Sequence, residues 1–169
     1  MSDIHVVILA AGQGARMKSS LPKVLHPVAG RTMVEHVLRA ASSVSPATIT
    51  LVVGHQADAV RSHLKELERV QFVLQAPQRG TAHAVQQVEP QLAGRTGTLL
   101  LLSGDVPLLS SRTLERLLET HRATGAAATV VTAVVERPYG YGRIVRTAGD
   151  IARIVEERDV SPSERQIHE

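Results

Sequence analysis

The stretch Ile4–Ala10 constrains this chain most: seven residues, nearly all apolar and rich in β-branched side chains, run straight into Ala11-Gly12-Gln13-Gly14. A run this short and this uniformly apolar reads as a strand buried on both faces, the environment of a parallel sheet. Glycines end it. Thr32 then precedes Glu35 by three residues, the spacing of a capping box, and Met33, Val34, Val37, Leu38 and Ala41 follow with helical period.

The alternation continues along the chain. Residues 49–53 predict a second strand; Ala57, Val60, Leu64 and Leu67 predict one face of a helix; 71–74 predict a short strand. Thr81 is placed to cap a helix carrying Ala82, Val85, Val88 and Leu92. Residues 98–102 predict a buried strand ending at Ser103-Gly104-Asp105, with a further helix through Leu114, Leu117 and Leu118. Strands alternating with helices over short links imply an α/β, Rossmann-like three-layer sandwich with a mostly parallel sheet. After Gly125 the pattern becomes strand-rich, with strands expected at 127–135, 142–146 and 151–155. The last two should pair as a hairpin beside the main sheet, turning at Ala148-Gly149-Asp150. No repeat or low-complexity linker is visible, and the expectation is one domain over 1–169.

Composition excludes several classes. At 43% hydrophobic and 21% charged, the 169 residues can build a core. Aromatics are only 2%, so nucleobases would lack stacking platforms, and a net charge of +3 is too small to argue for a polyanion. The absence of Cys removes disulfides, thiolate nucleophiles and Cys-type zinc sites. The eight His show no HExxH spacing and read as core-edge or surface residues. No apolar run is long enough for a bilayer, and Met1-Ser2-Asp3 has no basic lead, so the expected setting is the cytoplasm, without membrane or nucleic-acid partners.

In an open parallel sheet, ligands bind at the carboxyl ends of strands. The loop Gly12-Gln13-Gly14-Ala15-Arg16-Met17 follows the first strand, and from Ile4 to Val34 there is no acidic residue while Arg16, Lys18, Lys23 and Arg31 all occur. Glycine backbone and fixed positive charge suit phosphate oxygens. Met17 stands where a dinucleotide fingerprint needs glycine, and no GK[ST] follows. The length from Gly12 to Arg31 fits a loop wrapping a nucleoside triphosphate, against a plain flexible turn. Asp105 offers a hard oxygen for Mg²⁺, or else caps the helix after Pro107. Gln75 and Thr81 are either base readers or capping and surface groups. Tyr139-Gly140-Tyr141-Gly142 is a turn or a close approach to ligand, and Glu156-Glu157 a solvated strand end or a hydroxyl binder.

The strings from Leu9 to Met17 and from Leu21 to His26 resemble the opening of the sugar-nucleotide pyrophosphorylases. Gln75 with Gly80-Thr81-Ala82-His83-Ala84, Gly104-Asp105-Val106-Pro107-Leu108, Gly140-Tyr141-Gly142-Arg143-Ile144 and Ile154-Val155-Glu156 narrow the resemblance to the bacterial N-acetylglucosamine-1-phosphate uridyltransferases. The resemblance implies a nucleotide-diphospho-sugar transferase fold. It implies uridyl transfer from UTP to N-acetylglucosamine 1-phosphate, giving UDP-N-acetylglucosamine and pyrophosphate for cell-wall precursor synthesis.

By that resemblance Leu9, Ala10, Ala11, Gly12, Gln75, Gly80 and Thr81 match nucleotide contacts. Arg16 and Lys23 match the catalytic phosphate-binding pair, and Asp105 the Mg²⁺ ligand, with Ser103 and Gly104 in its stretch. Gly142 and Glu156 match sugar contacts. Ser103 replaces the Tyr of many relatives. The family continues beyond the equivalent of Glu169 with a sugar-contacting Asn, an Asn completing the metal site and a trimer-forming β-helix acetyltransferase domain. Residues 1–169 alone are therefore expected to be weak or inactive in transfer, and a homotrimer is expected only with that domain. Another sugar-1-phosphate nucleotidyltransferase and a non-catalytic nucleotide-sugar binder remain as alternatives. A dehydrogenase-like dinucleotide binder is disfavoured by Met17.

Overall fold

The computed structural model describes residues 3–14, 17–67 and 69–169. The chain divides into two compact units, Met1–Leu118 and Glu119–Glu169. In the first, β1 (Ile4–Ala10) is followed by a hairpin of β2 (Pro27–Val28) and β3 (Arg31–Thr32). Then come α1 (Met33–Ser42), β4 (Thr48–Val53), α2 (Ala57–His63), β5 (Val70–Leu74), α3 (Thr81–Gln86), α4 (Glu89–Leu92) and β6 (Thr98–Ser103), and α5 (Ser111–Thr124) begins in the first unit and ends in the second.

Four strands form a parallel sheet in the order β5-β4-β1-β6. The chain moves outward from β1 to β4 and β5, then returns past β1 to β6. Right-handed crossovers place helices reached by opposite moves on opposite faces. Two apolar clusters agree: Ile4, Val6, Ile8 and Ala10 of β1 pack with Val34, Val37, Leu38, Val60, Leu114 and Leu118, while Val7 and Ala11 face Val52, Ala84 and Val88. The strand's two-residue period divides one sequence run between both cores. This is the expected α/β parallel-sheet sandwich.

Local signals also behave as read. Glu35 Oε2 accepts from both the N–H and the Oγ1–H of Thr32, at 2.6 Å each, starting α1. These bonds hold the Glu35 carboxyl below its ordinary value.

Four expectations fail. Thr81 does not cap its helix; Gly80 does, and the single expected helix is two, α3 and α4. Strand β6 is buried only at alternate positions, since Leu99 and Leu101 are each 43% exposed. It is an edge strand, and the short α3 packs on β1 instead. Residues 127–135 form no strand. β-propensity yields a strand only where a partner ladder exists, and in the second unit the ladder is the antiparallel pair β7 (Arg143–Thr147) and β8 (Asp150–Val155). That hairpin is the expected one, turning through Ala148 and Gly149, both at positive φ. No described helix is long and apolar enough to cross a membrane.

Candidate functional site

Strand order reverses between β1 and β6, and the loops leaving their carboxyl ends diverge there, which is where open α/β sheets bind ligands. A cavity of about 300 Å³ occupies this place. It is lined by Leu9 and Ala10 at the end of β1 with Ala11 and Gly12 after it, Ser103 at the end of β6 with Asp105 after it, Gln75, Gln78, Gly80, Thr81 and Ala84 after β5, and Lys23 and Val24 from the long loop.

The long loop is anchored at Lys23–Leu25. Residues Lys23–Leu25 form one 3₁₀ turn whose Val24 and Leu25 are buried, so Lys23 is held at the cavity by its apolar neighbours. Its Nζ donates to Asp105 Oδ2 at 2.5 Å, with both side chains about one-third exposed. Gly14 makes room for it: at φ +62 a Cβ there would stand 2.8 Å from Lys23 Cβ. Gly104 does not line the cavity; its N–H donates to Leu9 O at 2.8 Å and pins the Asp105 loop against β1.

Asp105 suits a hard divalent cation. It already faces one cation, the Lys23 ammonium, and among the described residues no group of three or more His, Cys, Asp or Glu forms a closed cage. Mg²⁺ is commonly held by one or two carboxylates with substrate phosphates and water, not by an all-protein shell.

At the opposite wall Gln75 is 5% exposed. Its N–H donates to Val53 O at 2.7 Å, and its Nε2 donates to Gly80 O at 2.9 Å. Gly80, at φ +95 and ψ −178, occupies a backbone region essentially closed to other residues, and so turns its carbonyl toward Gln75 as α3 begins. Thr81 is exposed on the cavity rim.

Of the remaining expected site residues, Arg16 lies outside the described residues. Gly142 and Glu156 belong to the second unit, flanking an ion pair of a buried Arg143 with a partly exposed Glu157: Arg143 Nη2 reaches Glu157 Oε2 at 3.0 Å, Arg143 also donates to Tyr141 O, and Gly140 N–H donates to Glu157 Oε2 at 3.2 Å. Arg143 is 3% exposed and its Nε has no partner among the described residues.

Sequence reading missed Val24, Gln78 and Ala84 as lining groups, and it missed the partners of six histidines, His5, His36, His63, His83, His121 and His168. His5 is buried, bonded at Nδ1 to Thr48 Oγ1 and at Nε2 to Thr96 O, and His83 meets Gln75. Nothing local signals these contacts, except that Gln75 and His83 flank the Gly80 turn.

Residues 6–164 match the MobA-like NTP transferase domain family. The bifunctional protein GlmU of Brevibacillus brevis is 56% identical over 170 aligned residues, covering the whole chain and 36% of that protein. The bifunctional protein GlmU of Synechococcus sp. strain CC9605 is 53% identical over 163 residues, covering 96% of the chain and 36% of that protein. The chain thus spans about a third of the length of these relatives. A putative glucose-1-phosphate thymidylyltransferase from Bacillus anthracis shares the fold at a TM-score of 0.77 and 20% identity, over 98% of this chain and 67% of that one.

Proposed function

The chain belongs to the MobA-like NTP transferase domain family, and on that premise we propose that it is the nucleotidyl-transferring part of an N-acetylglucosamine-1-phosphate uridyltransferase. A phosphate oxygen of N-acetylglucosamine 1-phosphate attacks the α-phosphorus of UTP; the α–β bridging bond breaks, and pyrophosphate leaves with the bond's electron pair. Uridine diphosphate N-acetylglucosamine remains. The observation that carries this reading is the cavity at the strand-order reversal, where a lysine and a lone carboxylate face each other beside a glycine loop.

The residues divide the work. Gly12 backbone, Arg16 and Lys23 hold the triphosphate, and positioned positive charge stabilises what accumulates on the departing pyrophosphate. Gln75, Gly80 and Thr81 hold the uracil, with Leu9, Ala10 and Ala11 beneath the nucleoside. Gly142 and Glu156 hold the sugar. Asp105, next to Ser103 and Gly104, would hold Mg²⁺, which supplies further charge neutralisation on the phosphates. Little covalent chemistry falls to protein groups, so in-line placement dominates.

Calorimetric titration with UTP, UDP-N-acetylglucosamine and NAD tests the reading. The two uridine nucleotides should bind and NAD should not. Mg²⁺-dependent pyrophosphate release should follow when these residues are joined to the remaining length of the Brevibacillus brevis relative. Preference for NAD, or no uridine-nucleotide binding, would overturn it.

A further inference from the structure

We propose that His83 is a positioning residue that, together with Gly80 O, locks the Gln75 amide with its oxygen toward the cavity, and thereby makes the site select a nucleobase with a ring N–H over one with a bare ring nitrogen. This rests on the uridine-nucleotide reading above. The argument begins at Gly80. Its carbonyl oxygen can only accept, and it lies 2.9 Å from one end of the Gln75 amide, so that end is the amino group.

The same amino group lies 3.2 Å from His83 Nδ1. An amide nitrogen donates and does not accept, so Nδ1 is unprotonated here. In the neutral ring the proton sits on Nε2, which lies 3.2 Å from Gln87 Nε2; an amino group cannot accept it, so the Gln87 amide, which no other hydrogen bond among the described residues fixes, turns end for end to present its Oε1 there. Gly80 O is itself held, since it also accepts from Ala84 N–H at 3.1 Å.

An amide has two N–H donors. Gly80 O takes one and His83 Nδ1 takes the other, so nothing but Oε1 remains for a ligand, and it has no partner among the described residues. Gln75 lines the cavity and is itself buried, so turning its amide end for end would break both bonds with no water to replace them. An acceptor held this way welcomes the N3–H of uracil and repels the lone pair of cytosine N3. Without His83 only the Gly80 bond holds the amino end, so the amide turns end for end at lower cost and can then present an N–H to cytosine.

Dissociation constants of the chain for UTP, CTP and inorganic pyrophosphate test this in wild type, His83→Ala and His83→Asn. The Asn Oδ1 sits where His Nδ1 sits relative to Cβ, so that variant keeps an acceptor in place. The expected result is a UTP preference in wild type and a loss of about fivefold in the UTP to CTP ratio in His83→Ala, the size of one net hydrogen bond. Pyrophosphate affinity should not change, and His83→Asn should restore most of the ratio. A merely structural role would weaken all three ligands together. An unchanged ratio in His83→Ala, or a parallel loss for all three, overturns this inference and leaves the uridine reading standing. A wild-type chain that binds no uridine nucleotide overturns both.

Discussion

Lys23 and Asp105, 82 positions apart in the chain, meet as an ion pair with Nζ 2.5 Å from Oδ2. The pair joins the loop after β1 to the loop after β6 at the reversal of strand order. Each partner is the group that a ligand of the proposed reaction would claim, phosphate for the ammonium and metal for the carboxylate. Metal arriving before nucleotide must therefore displace an existing cation. Lys23→Met should bind Mn²⁺ more tightly than wild type in the absence of nucleotide, by about fivefold, the scale of a partly exposed ion pair. Mn²⁺ electron paramagnetic resonance titration reads this directly. Equal or weaker binding would show that the ammonium does not compete.

With the chain joined to the remaining length of the Brevibacillus brevis relative, Lys23→Ala and Arg16→Ala should each lower pyrophosphate release by about 2 to 4 kcal/mol of transition-state stabilisation, the range for removing one preorganised group. Circular dichroism should stay that of the wild type, since the buried anchors of the loop are Val24 and Leu25. Near-normal turnover in either variant would remove that residue from the phosphate-binding set.

Gly14→Ala is a test of the same cation by another route. The new Cβ would sit 2.8 Å from Lys23 Cβ at a φ of +62, so the Lys23 side chain must shift. The left-handed backbone adds about 1 to 2 kcal/mol of local strain. UTP affinity should fall nearly as far as in Lys23→Ala, measured by calorimetry. An unchanged affinity would mean the loop accommodates the methyl without moving Lys23.

The capping box of α1 predicts a pH dependence with a definite sign. Hydrogen bonds from Thr32, first through its side chain and then its backbone, hold the Glu35 carboxyl below its ordinary value of 4.5. A lowered folded value means a stabilising contribution complete above 4.5 and lost as pH falls through the folded value beneath it. Thr32→Ala should cost about 1 kcal/mol at pH 7. Glu35→Gln should be less stable than wild type at pH 7 and converge on it in acid, followed by urea unfolding across pH. A stability gap that is independent of pH would contradict this account.

In the second unit, Arg143 is 3% exposed and depends on Glu157 for its countercharge. Glu157→Ala strands a buried guanidinium and should destabilise the unit by about 3 kcal/mol, whereas Arg143→Met with Glu157→Ala should recover much of that loss. A double-mutant cycle in guanidinium chloride tests the coupling. Strictly additive effects would mean Arg143 is satisfied by Tyr141 O alone.

Signals carried by neighbours in sequence were legible before any coordinates: the apolar run of β1 and its glycine exit, the Thr32–Glu35 box, and the hairpin turning at Ala148 and Gly149. Each depends on dihedral preferences and hydrogen bonds spanning a few residues, and these are written into adjacent side chains. Sequence patterning also implied a parallel sheet, and the motifs pointed to Lys23, Gln75 and Asp105. Tertiary structure alone decided what those residues touch. The order β5-β4-β1-β6 brings Asp105 to Lys23 and leaves Leu99 and Leu101 exposed on an edge strand. The Gly80 turn folds His83 back onto Gln75, and residues 127–135 lack the ladder that their β-branched composition suggested. Hydrogen bonds and ion pairs between distant segments need partners that no local pattern names, because the chain reaches them only after its strands have chosen their neighbours.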